Sequence, residues 1–186
     1  MGSGLQQPLV WIDLEMTGLD VATETIVEVA VIVTDGSLEQ IIEGPDLVVS
    51  APEDVLARMH PRVVEMHRSS GLIDEIRASE LTLADAEDQV LAFLRGHVGR
   101  DVDAPLAGNS VHADRMFLRA YMPALEAFVH YRNVDVSTIK ELARRWYPQV
   151  FAKAPAKRAG HRALADIRES IAELRYYRET LFREET

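Results

Sequence analysis

The segment Leu9-Val10-Trp11-Ile12-Asp13-Leu14-Glu15-Met16-Thr17-Gly18 has the composition of a buried strand, yet two carboxylates interrupt it. Successive strand side chains point to opposite faces, so Asp13 and Glu15 emerge together on one face. Two acids in apolar surroundings repel each other and resist ionisation unless a cation sits between them. A divalent metal resolves the conflict, and carboxylate and water donors suit magnesium or manganese. The alternative is an edge strand whose acids face solvent.

Around this segment the chain alternates strand and helix. Thr25 to Thr34 is a β-branched second strand, and Asp35-Gly36 turns the chain into Leu38 to Ile42, with Asp46 to Ser50 extending that strand after Gly44-Pro45. Short helical periods run through Pro52 to Ser70. Thr82-Leu83-Ala84-Asp85 resembles a capping box that opens a helix reaching Gly96. Ala104 to Ala107 reads as a short strand, Ala113 to Met122 as a helix stopped by Pro123, and Phe128 to His130 with Asn133 to Val136 as another strand. Ser137 can cap a helix to Trp146, and Ala163 to Phe182 forms a long last helix. Three antiparallel strands followed by alternation predict an α/β fold with a mixed sheet.

With 186 residues the chain fits one domain that buries about 70% of its unfolded surface. Residues 1–8 read as a tag remnant and flexible N-terminus, leaving 9–186 as the domain. No apolar run approaches the ~18 residues of a membrane span, no signal peptide opens the chain, and cysteine is absent. A soluble, cytoplasmic protein is expected. The net charge of -10 argues against wrapping long nucleic acid. Between Tyr131 and Arg162, however, eight basic residues face two acids, a local +6 that leaves -16 elsewhere. A short anion suits such a region better than a polymer. A solvated helix face plus a basic loop accounts for the same residues.

Asp114 opens a helix after a short apolar strand, where side chains reach a sheet edge, although the helix dipole alone also explains an acid there. Asp166 follows His161 by five residues. Helical positions five apart diverge by about 140°, so the two share a site only if His161 lies outside regular helix, which Gly160 permits. Taken singly, His161 is an ordinary loop histidine and Asp166 an acid paired with Arg162.

Jointly, an acid pair, a mid-chain Asp and a late His followed at five residues by Asp resemble the DEDDh exonucleases. Trp11 to Asp20, Gly108-Asn109-Ser110, Asp135 to Trp146 and Ala165 to Ser170 resemble the oligoribonucleases of that family, a likeness spanning Leu9 to about Phe182. It implies a ribonuclease H-like exonuclease fold, with a central mixed sheet flanked by helices, and 3′-to-5′ hydrolysis of very short RNA, mainly dinucleotides. It also implies a homodimer. Carried over residue by residue, Asp13, Glu15, Asp114 and Asp166 would hold two Mg²⁺ or Mn²⁺ ions, with His161 as general base. Two ions about 4 Å apart serve an in-line displacement at phosphorus, and imidazole takes a proton near neutral pH. Activity should then fall on acidification.

The same resemblance makes Ser110, Ser137 and Lys140 contacts of the substrate phosphate, with Tyr131 and Arg132 contributed across the dimer interface, and Leu19 and His67 contacts of base and sugar. Ser137 alone reads as a helix cap, Arg132 as an ion-pair partner, Leu19 as core and His67 as a surface residue. Other bacterial members carry a tryptophan in the segment matching Leu56 to His67, where this chain has Arg62 and Val63. Base stacking should be weaker here, with Val63, Met66 or Leu19 giving apolar contact instead. A DEDDh exonuclease acting on longer strands, a non-catalytic RNA-binding module and a plain interaction domain are the rival readings.

Overall fold

A computed structural model describes residues 5–99, 103–156 and 160–182. In chain order its elements are β1 (Leu9–Met16), β2 (Ile26–Thr34), β3 (Ile41–Val48), α1 (Glu53–Arg58), α2 (Pro61–Ser69), α3 (Leu72–Ala78) and α4 (Leu83–His97), followed by β4 (Pro105–Gly108), α5 (Val111–Tyr121), α6 (Pro123–Phe128), β5 (His130–Asp135), α7 (Val136–Trp146), α8 (Pro148–Phe151) and α9 (Ala163–Leu181). The strands form one mixed sheet in the order β3-β2-β1-β4-β5. β1 to β3 pair antiparallel, while β4 and β5 add in parallel beside β1. This is the α/β sheet, flanked by helices, that the sequence predicts.

Strand alternation sorts the core into two layers. Val10, Ile12 and Leu14 pack with Val29, Val31 and Val33 against apolar residues of α4, α5 and α6. Trp11, Ala30 and Ile32 face the other way, against Val136 and Ala143 of α7 and Ala163, Ile167 and Ile171 of α9. Each fully buried aliphatic side chain here contributes about 1.5–3 kcal/mol. Asp13 and Glu15 continue the row of Trp11, so strand geometry aims both at the α9 side. The Trp11 indole N–H is satisfied by Thr34 Oγ1 at 3.0 Å, which allows complete burial of the ring.

The fold departs from the predicted elements at short helices and at proline. Pro123 begins α6 rather than ending a region of helix, because proline lacks only a donor that a first helical residue leaves unused. Phe128 therefore ends a helix, and β5 starts at His130. β3 continues through Gly44 and Pro45, where its register against β2 shifts: Ala30 pairs with Asp46 and Ile32 with Glu43. A Cβ at Gly44 would come 2.7 Å from Phe93 Cδ1, so any larger residue there displaces the ring. The cap of α7 is Asp135, whose side chain accepts from Ser137 N–H, so Ser137 is freed for other contacts. Helices α3 and α8 lie outside the predicted set. No described helix is long and apolar enough to cross a membrane.

Candidate active site

Three elements deliver the acids to one end of the sheet. Glu15, near the end of β1, is 7% exposed, and one ligand atom each from Glu15, His161 and Asp166 lie within 4.8 Å of one another. Asp166 stands in the first turn of α9. His161 lies before that helix at φ 48, outside regular helix as the five-residue spacing to Asp166 requires. A positive φ is uncommon for a residue with a side chain, so the surroundings must hold it.

Asp114 comes from the first turn of α5 and is buried, with Oδ1 accepting from Leu14 N–H at 3.1 Å. Asp13 is half-buried, two positions before Glu15 on the same strand face. Burial pushes the Glu15 carboxyl up to about 8, assisted by the charges of Glu28, Asp166 and Asp114 and opposed by Arg162. Burial likewise raises Asp114 to about 7, against the hydrogen bond from Leu14. Crowded, desolvated carboxylates of this kind need added positive charge to ionise together.

A clamp that the sequence does not reveal supports the histidine. Glu28 of β2 pairs directly across from Glu15 and is fully buried. It accepts from Arg162 Nε at 2.8 Å and from Ala163 N–H, the first residue of α9, at 3.0 Å. Arg162 also grips Glu75 of α3 through both terminal nitrogens at 2.8 Å. The residue following His161 is thus held from two sides, and Arg162 binds Glu28 and Glu75 instead of serving only as a helical neighbour of Asp166. Glu28 carries the same signal as Asp13 and Glu15, an acid in an apolar strand, but the β-branched run around it draws the eye to the strand.

The residues assigned to substrate fall into three groups. Ser110 and Ser137 meet, their Oγ atoms 3.1 Å apart, and Asp135 Oδ1 accepts from both backbone N–H groups at 3.0 and 2.9 Å. Lys140, one turn along α7, binds Glu173 at 2.9 Å. Leu19 is 79% exposed, on a loop closed by Thr17 N–H to Thr25 O at 3.0 Å, so it is not core. His67 is no surface residue either: its ring is fully buried, Nε2 lies 2.9 Å from Met16 O, and Nδ1 is 3.9 Å from Glu15. Desolvation, with the charge of His161 added, lowers the His67 pKa.

Tyr131 and Arg132 project from β5, Tyr131 at 72% exposure and the guanidinium 5.2 Å from its ring centroid. Arg132 therefore rests on an aromatic face rather than on a neighbouring acid. Arg115 of α5 fixes this strand from behind, donating to His130 O at 2.8 Å and Tyr131 O at 3.1 Å. Elsewhere the basic region is largely neutralised, since Arg144 and Arg145 both fold onto Glu141. Lys157 and Arg158 lie outside the described residues.

Comparison with known proteins gives one direction. The RNase_T exonuclease family model matches residues 10–174. Oligoribonuclease of Rhodococcus jostii is 54% identical over 178 residues, covering 96% of this chain and 89% of that one. Oligoribonuclease of Corynebacterium glutamicum is 58% identical over 174 residues, covering 94% and 80%. Among solved structures, Escherichia coli exonuclease I with a dA16 oligonucleotide superposes with a TM-score of 0.68 at 17% identity, over 95% of this chain. Exonuclease I of Methylocaldum szegediense gives 0.66 at 23%, over 94%. This chain spans 42% and 41% of those two longer chains, and their likeness shows the fold alone.

Proposed function

The chain belongs to the oligoribonuclease family of metal-dependent, hydrolytic 3′-to-5′ exoribonucleases, and from that premise we propose that it cleaves very short RNA, above all 5′-phosphorylated diribonucleotides, to mononucleotides in the cytoplasm. The observation that carries the reading is the convergence of Glu15, His161 and Asp166 within 4.8 Å. The carboxylate oxygens of Glu15 and Asp166, with those of Asp13 and Asp114, fit two Mg²⁺ or Mn²⁺ ions. The raised Glu15 and Asp114 carboxyls support this fit, since each ionises more readily beside a cation. When bound, the ions neutralise phosphate charge and lower the pKa of the attacking water.

His161 accepts the proton of that water as its oxygen bonds to phosphorus. The bond from phosphorus to the 3′ oxygen of the preceding nucleotide breaks, that oxygen takes up a proton from solvent to become a 3′-hydroxyl, and a nucleoside 5′-monophosphate is released. Asp114, anchored on Leu14 N–H, and Asp166, carried by α9, keep the acids at fixed positions around the reacting phosphate. Ser110, Ser137 and Lys140 take the substrate's 5′-phosphate and exposed Leu19 flanks the base, while His67, fully buried against Met16 O and beside Glu15, backs the site instead of reaching the sugar. In a homodimer, Tyr131 and Arg132 of one subunit reach the site of the other. Their exposure on β5, at the end of the sheet order, supports that placement.

The test compares a 5′-phosphorylated diribonucleotide, a 20-residue RNA and a DNA dinucleotide in magnesium, with His161→Ala beside wild type. The diribonucleotide should turn over fastest. His161→Ala should lose most activity while retaining magnesium binding by calorimetry. Preference for the 20-residue RNA would contradict the assigned specificity, and near wild-type turnover by His161→Ala would remove the histidine from the chemistry.

A further inference from the structure

One face of α9 ties the phosphate-binding candidates to the acid cluster, through side chains that the chemistry above does not use. Asn109 bridges two elements: its Nδ2 donates to Ser170 Oγ at 2.7 Å, and its Oδ1 accepts from Ser137 Oγ at 3.0 Å. Ser170 Oγ in turn donates to the Asp166 carbonyl at 2.8 Å. A second tether lies three residues on, where buried Glu173 holds Lys140 Nζ at 2.9 Å. Asp166, Ser170 and Glu173 are spaced i, i+4 and i+7, so they stack on the same helical face. Seven residues of helix span about 10 Å, a fixed separation between the acid and the lysine tether.

Proton supply gives the chain of bonds a direction. The Ser170 hydroxyl proton is committed to the Asp166 carbonyl, so Ser170 receives the Asn109 amide N–H, and the amide oxygen is left facing Ser137. Ser137 directs its proton inward, so Ser110 is the donor to Ser137 Oγ at 3.1 Å, an exposed bond that its hydroxyl can exchange for a ligand, and Lys140 keeps two N–H donors besides the one held by Glu173. Ser170 and Glu173 are 3% and 1% exposed, so neither reaches a ligand.

We propose that Asn109, Ser170 and Glu173 are positioning residues that hold Ser110, Ser137 and Lys140 as a cradle for the terminal 5′-phosphate at a set distance from the reacting phosphodiester. They thereby make the preference for a phosphorylated dinucleotide a property of α9. This rests on the assignment of Ser110, Ser137 and Lys140 to that phosphate.

The test measures kcat and KM for a 5′-phosphorylated and a 5′-hydroxyl diribonucleotide, with magnesium and the full chain, in wild type, Ser170→Ala and Asn109→Ala. Wild type should prefer the phosphorylated substrate, and each variant should shrink that preference about tenfold through KM, as expected for one misplaced hydrogen-bonding group. Thermal unfolding of each variant shows whether it is folded, and Asn109→Ala in its half-buried turn carries the test if Ser170→Ala fails to fold. A variant that slows both substrates equally and keeps the wild-type ratio would overturn the positioning role alone. A wild-type ratio near one would overturn the phosphate assignment, and this inference with it.

Discussion

Replacing Glu15 with glutamine measures how far the acid cluster is strained without its cations. Desolvation, then the charges of Glu28, Asp166 and Asp114, raise the Glu15 carboxyl from 4.5 to about 8. A carboxyl whose pKa is higher in the folded state favours folding at low pH. The unfolded chain loses this proton near pH 4.5 while the folded chain keeps it to about pH 8. Each pH unit between those values removes about 1.4 kcal/mol of stability, up to about 5 kcal/mol over the window if neighbouring groups do not relax. A glutamine amide in its place would carry no such proton. In urea denaturation with EDTA, wild type and Glu15→Gln should be similar near pH 5, and the variant should be more stable by a few kcal/mol at pH 8. Magnesium should reverse the order, because ligand binding stabilises the folded state only where the ligand is held. Parallel stability curves in EDTA from pH 5 to 8 would refute the argument from charge crowding.

Two other perturbations separate buried from exposed interactions. Arg162→Ala leaves fully buried Glu28 without its guanidinium and should lower stability by about 3–5 kcal/mol in chemical denaturation, with turnover falling as His161 loses its clamp. Arg168→Ala breaks an exposed pair with Glu43 and should change stability by less than about 1 kcal/mol. Gly44→Ala drives a methyl into Phe93 and should cost about 1–3 kcal/mol, partly restored by Phe93→Leu. Equal unfolding temperatures for Gly44→Ala and wild type would show that Phe93 moves aside freely.

The parts of the fold legible in the sequence are those with a long period. β1, β2, α4, α5 and α9 each carry enough apolar repeats to show one buried face, and their positions follow from alternation or helical spacing. The six- and four-residue helices α6 and α8 carry too few turns for a period, and each opens on a proline that reads equally as a stop. At the site, Asp13 and Glu15 stand out because charge breaks an apolar strand. Glu28 breaks one in the same way, but its meaning depends on Arg162 and Ala163, 134 and 135 residues away in sequence. Asn109, Asp135 and Ser170 are small polar residues with ordinary local explanations as turn, cap and helix residues. Their joint role appears only when β4, α7 and α9 are brought together.

The most direct measurement is magnesium-dependent release of mononucleotide from a 5′-phosphorylated diribonucleotide by wild type and Asp114→Asn. The Asn side chain retains an oxygen that can accept from Leu14 N–H, so the substitution removes charge with little change of shape. Wild type should cleave, and the variant should lose at least about a hundredfold in rate, as expected when one charged group that stabilises the transition state is removed. Equal rates for the two proteins, or no cleavage by wild type, would contradict the account.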